Sequence, residues 1–199
     1  HANDGGAAIK EILNFNQAID IAYQFYKQHP NETLIVVTAD HDTGGMTIGN
    51  PHLGYNAHLE MIDYQRLSKE AFEEYCKETL ETNRTPTWDE IKAYLTEHFG
   101  LWKQVPVTEK QEARLKETFD STFDKRDSED ERTLYANFNQ FVKTVYKTFN
   151  DAAGIGFVGT SHTGNPVPVF AIGDGASAFS SLNNNIEIPE KILKLVNGK

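Results

Sequence analysis

The sequence predicts an α/β fold interrupted by a mainly helical insertion. Three observations carry that expectation. Residues 34–39 read LIVVTA, a short run apolar on both faces that directly follows a helical segment; such runs typify strands inside parallel sheets covered by helices on both sides. Two further strand-like runs, IGFVGTS from Ile155 and VPVFAIG from Val167, follow Gly154. Between these α/β pieces, apolar residues fall at helical spacing among dense charge. The chain therefore divides into an α/β portion, 1–55 with 151–199, and a helical insertion, 56–150.

The elements follow in order. Residues 7–28 read as helix, because Ile9, Ile12, Leu13, Ile19, Tyr23 and Tyr26 recur at helical spacing. Asn14 or Asn16 offers a cap for a break near Phe15, and Pro30 with Asn31 closes the segment. Strands are expected at 33–39, 155–160 and 167–172. The insertion carries three capping-box patterns, Thr87 with Glu90, Thr108 with Gln111, and Ser128 with Glu131, and is punctuated by Pro86 and Pro106. The final IPEKILKLV reads as a helix with Pro189 in its first turn.

Composition bounds the function. Of the 199 residues 39% are hydrophobic, which supports a packed core. The net charge of −10 argues against a nucleic-acid footprint. The single cysteine, Cys76, excludes an internal disulfide. No apolar run is long enough to span a bilayer, and no signal peptide is visible. The chain opens HANDGG without an initiator Met, which reads as a processed or excised segment.

The first strand stops abruptly at Asp40-His41, and Gly44-Gly45 follows. Ligands of α/β sheets gather outside strand ends, and a glycine turn can bring adjacent side chains to one centre. Carboxylate oxygen with neutral imidazole suits Zn²⁺, and the hard oxygen also suits Mg²⁺. Two readings of the residues stand: metal ligands, or a turn-capping Asp40 beside a structural His41. His162, in the stiff loop SHTGNP, admits the same pair of readings. His1 carries no signal of its own, and His29, His52, His58 and His98 read as surface or packing residues.

Four blocks together change these odds. HANDGGAAIKEILNFNQAIDIA, TADHDTGG, HTGNPVPVFAIGDGA and NNNIEIPEKI occur here in the order in which similar blocks occur in the alkaline phosphatase family, which the chain resembles. The resemblance covers both α/β pieces and implies part of an alkaline-phosphatase-like layered fold. It implies that Asp40 and His41 are ligands of a second zinc, and that His162 and His1 are ligands of a first. It also implies a Mg²⁺ site, hydrolysis of phosphate monoesters through a phosphoserine intermediate, and two-metal stabilisation of the displacement. Thr43 stands where some members carry a histidine supporting the first metal, so retuned metal binding is expected.

The same resemblance places the nucleophilic serine, the Mg²⁺ ligands, the phosphate-binding arginine and further zinc carboxylates upstream of these blocks. The DST at 120–122 lies in the wrong order, within a charged amphipathic stretch, and is rejected as the nucleophile. The expectation is thus the C-terminal portion of the enzyme, inactive alone, with no catalytic residue in this chain. A missing N-terminal portion, homo-oligomerisation and a periplasmic or secreted location are implied in the same way. The alternatives are a related metal hydrolase, such as a phosphodiesterase or sulfatase, and a non-catalytic binding or assembly module.

Overall fold

The computed structural model describes residues 1–50, 53–82, 84–124, 131–132, 136–181 and 183–198. Among the described residues it is a mixed α/β fold of six α-helices and six strands, divided between two compact units. The first comprises His1–Ile9 and Thr43–His162, the second Lys10–Asp42 and Thr163–Lys199. The helical stretch 56–150 lies within the first unit.

That stretch folds as its periodicity dictates. Helices α2 (Lys69–Glu81), α3 (Trp88–Phe99), α4 (Glu109–Phe119) and α5 (Gln140–Ala153) turn their apolar faces onto one core. Phe99 meets Phe72 edge-on at 5.5 Å and Tyr146 at 5.4 Å, and Phe119 meets Phe141 at 5.7 Å; such edge-to-face pairs favour the ring quadrupoles. The Thr87–Glu90 and Thr108–Gln111 capping boxes are formed. Ser128 of the Ser128–Glu131 pattern lies outside the described residues, as does His52. A two-residue ladder, β3 (Glu131–Arg132) with β4 (Asn137–Phe138), adds strand to this otherwise helical stretch.

Two strands in the first unit flank the insertion in sequence. β2 (Met46–Ile48), which the sequence reading did not anticipate, pairs antiparallel with β5 (Ile155–Phe157). Its register is held by glycine. Gly44 has φ +60°, which a residue with a Cβ rarely adopts. Its N–H donates to the Ser161 carbonyl at 2.9 Å, and its carbonyl accepts from Val158 N at 2.8 Å. The turn after Asp-His-Asp is thereby tied to the loop that ends at His162.

In the second unit β1 (Leu34–Val37) pairs with β6 (Phe170–Gly173), Leu34 opposite Gly173 and Val37 opposite Phe170. This pair is antiparallel, which corrects the parallel sheet expected from the apolar run. An apolar run encodes burial of two faces and carries no information on the direction of its neighbour. The strands are also shorter than expected at both places. Helix α1 runs unbroken from Gly5 to Gln28, so the break near Phe15 does not occur; mid-helix asparagines cost little when no tertiary contact demands a cap. The closing helix α6 spans Glu187–Asn197.

Candidate metal centre

The first unit places His1 against His162, with ring centroids 4.9 Å apart and planes inclined at 57°. A chain terminus frays unless tied down, and this one is tied at three successive residues. Lys69 Nζ donates to the Ala2 carbonyl at 2.8 Å, and Asn150 Nδ2 donates to the Asn3 carbonyl at 2.8 Å. Asp4, itself buried, accepts from Ala7 N at 3.0 Å, Gln65 Nε2 at 2.7 Å and Lys69 N at 2.8 Å. One carboxylate therefore caps the first turns of α1 and α2 together. Burial raises the Asp4 pKa above the ordinary value, although the Gln65, Ala7 and Lys69 donors pull the other way. Gly5 makes the approach possible: a Cβ there would stand 2.8 Å from Asn150 Oδ1 and 2.9 Å from Ile155.

The second unit places Asp40 and His41 just beyond β1. Thr38 Oγ1 donates to the Pro168 carbonyl at 3.1 Å, and Asn185 Nδ2 donates to the Asp40 carbonyl at 3.2 Å, so both flanks of the turn are held. His41 Nδ1 lies 2.9 Å from the Asp42 carbonyl. A carbonyl only accepts, so Nδ1 donates to it and the ring turns Nε2 toward Asp40. Nε2 lies 3.1 Å from Asp40 Oδ2. That contact is met either by a doubly protonated ring donating to the carboxylate as an ion pair or, with Nε2 unprotonated, by a divalent metal bound to both atoms. Tetrahedral ligands at zinc-bond lengths stand about 3.3 Å apart, so the donor set fits a shared divalent metal, with the Asp42 carbonyl orienting the imidazole from behind. A cavity of about 520 Å³ opens beside this pair, lined also by Thr163, Asn165 and Asn185.

Asp42 is a residue beside the candidate site that the sequence reading did not single out. Its carboxylate accepts from Thr163 N at 2.8 Å and from the Thr163 hydroxyl. Thr163 follows His162 in the chain, so Asp42 joins the residue after one histidine to the residue after the other. The only local signal is a polar side chain after each histidine; the 121-residue separation hides the pairing. The structure thus brings His1 to His162 in the first unit and Asp40 to His41 in the second.

An α/β scaffold presenting imidazoles and a carboxylate in strand-end turns defines a candidate metal-binding protein. The chain belongs to the alkaline phosphatase family, whose sequence profile matches residues 1–197. It is 30% identical over 196 residues to alkaline phosphatase 4 of Bacillus subtilis, and 27% identical over 195 residues to alkaline phosphatase 3 of the same organism. In both comparisons 98% of this chain is covered, against 36% of the relative, so the chain spans about a third of their length. The crystal structure of a cold-active alkaline phosphatase from a psychrophilic Shewanella matches with a TM-score of 0.67 at 25% identity, over 97% of this chain and 41% of that one. The Thermus thermophilus alkaline phosphatase shares the fold, with a TM-score of 0.65 at 20% identity, over 100% of this chain and 45% of that one.

Proposed function

We infer that this chain supplies part of the metal centre of an enzyme that hydrolyses phosphate monoesters. The observation that carries the reading is the 3.1 Å approach of His41 Nε2 to Asp40 Oδ2, a ligand-to-ligand spacing, with His41 Nδ1 directed at the Asp42 carbonyl. In this reading Asp40 and His41 hold one Zn²⁺, and His1 and His162 contribute to another. Bound there, the metals would act as Lewis acids on the phosphoryl oxygens and on the attacking and leaving oxygens.

The residues of this chain have separable tasks. His41 and Asp40 offer one nitrogen and one oxygen donor in fixed tautomer and orientation. Asp42 holds the Thr163 turn, and Asp4 with Lys69 and Asn150 holds His1 beside His162. The cavity beside Asp40 admits a phosphate ester. The serine that would form the covalent intermediate, a Mg²⁺ site and the phosphate-clamping arginine are assigned to sequence outside these 199 residues, in keeping with the length of the relatives. The stretch 56–150 is read as an insertion that leaves the metal-site residues to its flanks, and the location as periplasmic or secreted. Among the described residues no helix is long and apolar enough to cross a membrane.

The test is made on the full gene product. Zinc content by mass spectrometry and p-nitrophenyl phosphate turnover are measured for the unsubstituted protein and for His41→Ala and His162→Ala. Loss of stoichiometric zinc with at least a 100-fold loss of turnover is expected. Full activity with unchanged zinc in both variants would sink the reading.

A further inference from the structure

We propose that the helical unit carries a second binding site, a groove between α4 and α5 that takes a small amphipathic oxyanion, separate from the candidate metal centre. The groove encloses about 820 Å³ and lies entirely within the first unit. That volume falls within the range of small-molecule sites, which combine an apolar floor with a few converging polar groups. Leu53, Met61, Pro106 and Ala152 provide the apolar surface.

The charge of the lining sets the class of ligand. Of its 16 residues four are Lys or Arg and one is acidic, whereas the whole chain holds 19 basic and 29 acidic residues in 199. The cations come as two pairs at helical i,i+4 spacing: Lys110 with Arg114 on α4, and Lys143 with Lys147 on α5. Like charges at that spacing repel along the helix, a cost that the intrahelical pairs Arg114–Glu117 and Lys147–Asp151 offset in part. α4 and α5 point both pairs at one groove in a protein that is acidic overall. Arg114 reaches Glu117 at 2.7 Å and Lys147 reaches Asp151 at 2.7 Å, yet the side chains of Arg114, Glu117 and Lys147 are all more than half exposed. Ion pairs so solvated are weak and yield readily to a multivalent anion. Arg114 adds a planar fork suited to carboxylate or phosphate oxygens. An oxyanion head among the four cations, with an aromatic or short aliphatic body on Leu53 and Met61, satisfies both halves of the groove.

The probe is 2-naphthylphosphonate, whose carbon–phosphorus bond resists hydrolysis. It is titrated calorimetrically into the purified protein in EDTA, which silences metal-dependent phosphate binding. Comparators are 2-naphthylmethanol, inorganic phosphate, and phosphatidylcholine vesicles with and without phosphatidylglycerol. One-to-one saturable binding of the phosphonate is expected, at least tenfold tighter than either half-ligand. The double variants Lys110→Gln with Arg114→Gln, and Lys143→Gln with Lys147→Gln, should each weaken it at least tenfold. Met61→Ser should weaken it without changing its salt dependence. All five substituted side chains reach the groove surface, and matched thermal melts confirm folding. Absence of saturable binding, binding indifferent to both double variants, binding lost only in His41→Ala, or binding only to anionic vesicles would each overturn the proposal.

Discussion

At the scale of single residues, the carboxylate of Asp42 separates orientation from ligation. It accepts two hydrogen bonds from Thr163, and its backbone carbonyl fixes the His41 tautomer. Asp42→Ala should cost about 1–3 kcal/mol, the worth of charge-assisted hydrogen bonds left unmade, and lower zinc affinity about 10–100-fold. Asp42→Asn should recover part of both, since its amide still accepts from Thr163 N while its NH₂ can donate to the Thr163 hydroxyl. Zinc competition with a chromophoric chelator, alongside chemical denaturation, reads the two effects separately.

Asp4 makes a pH prediction of unusual sign. Its folded pKa is raised, so the folded chain binds the proton more tightly than the unfolded one. The stabilisation from this group is fully present below the unfolded value of 3.8 and falls as pH rises through the folded pKa. Relative to Asp4→Asn, the unsubstituted protein should therefore be favoured more at pH 3.5 than at pH 7. Paired thermal melts across that interval check it; an advantage that grows with pH would refute the assignment.

At the scale of elements, the start of α1 is closely packed within the first unit. Gly5 leaves no room for a methyl group against Asn150 and Ile155. Gly5→Ala gains helix propensity in isolation, but the overpacking should dominate and destabilise by about 1–3 kcal/mol. Thr87→Ala, which removes a formed capping box on the exposed start of α3, should cost about 1 kcal/mol. The Gly5 change should also loosen His1 from His162, visible as altered histidine ring shifts in NMR, whereas Thr87→Ala should leave those shifts in place.

At the scale of the whole molecule, the second unit leaves much apolar surface uncovered. On α1 Ile12, Leu13, Phe15, Ile21 and Phe25 are all more than half exposed, and Phe170 of β6 is 64% exposed. Isolated exposed apolar residues are ordinary, but a helix carrying exposed apolar side chains on several sides recruits partners. The 199-residue chain should self-associate in light scattering, and Leu13→Lys with Ile21→Lys should shift it toward the monomer. A clean monomer before substitution would refute the prediction and leave the metal-centre reading untouched.

Local pattern determined much of this protein. The apolar run at 34–37, the Thr87 and Thr108 capping boxes, the glycines after Asp40-His41 and the four family blocks were all legible, because each rests on neighbours a few residues apart. The tertiary structure decided the rest. The β1–β6 pair is antiparallel, β2 pairs with β5, Asp42 clamps Thr163, and Asp4 gathers Ala7, Gln65 and Lys69. Most of these partners lie 61 to 121 residues or more apart, and strand direction depends on the path of the connection rather than on the strand. Local periodicity records which face of an element is buried; which group meets which across the fold is fixed only when the long-range contacts close.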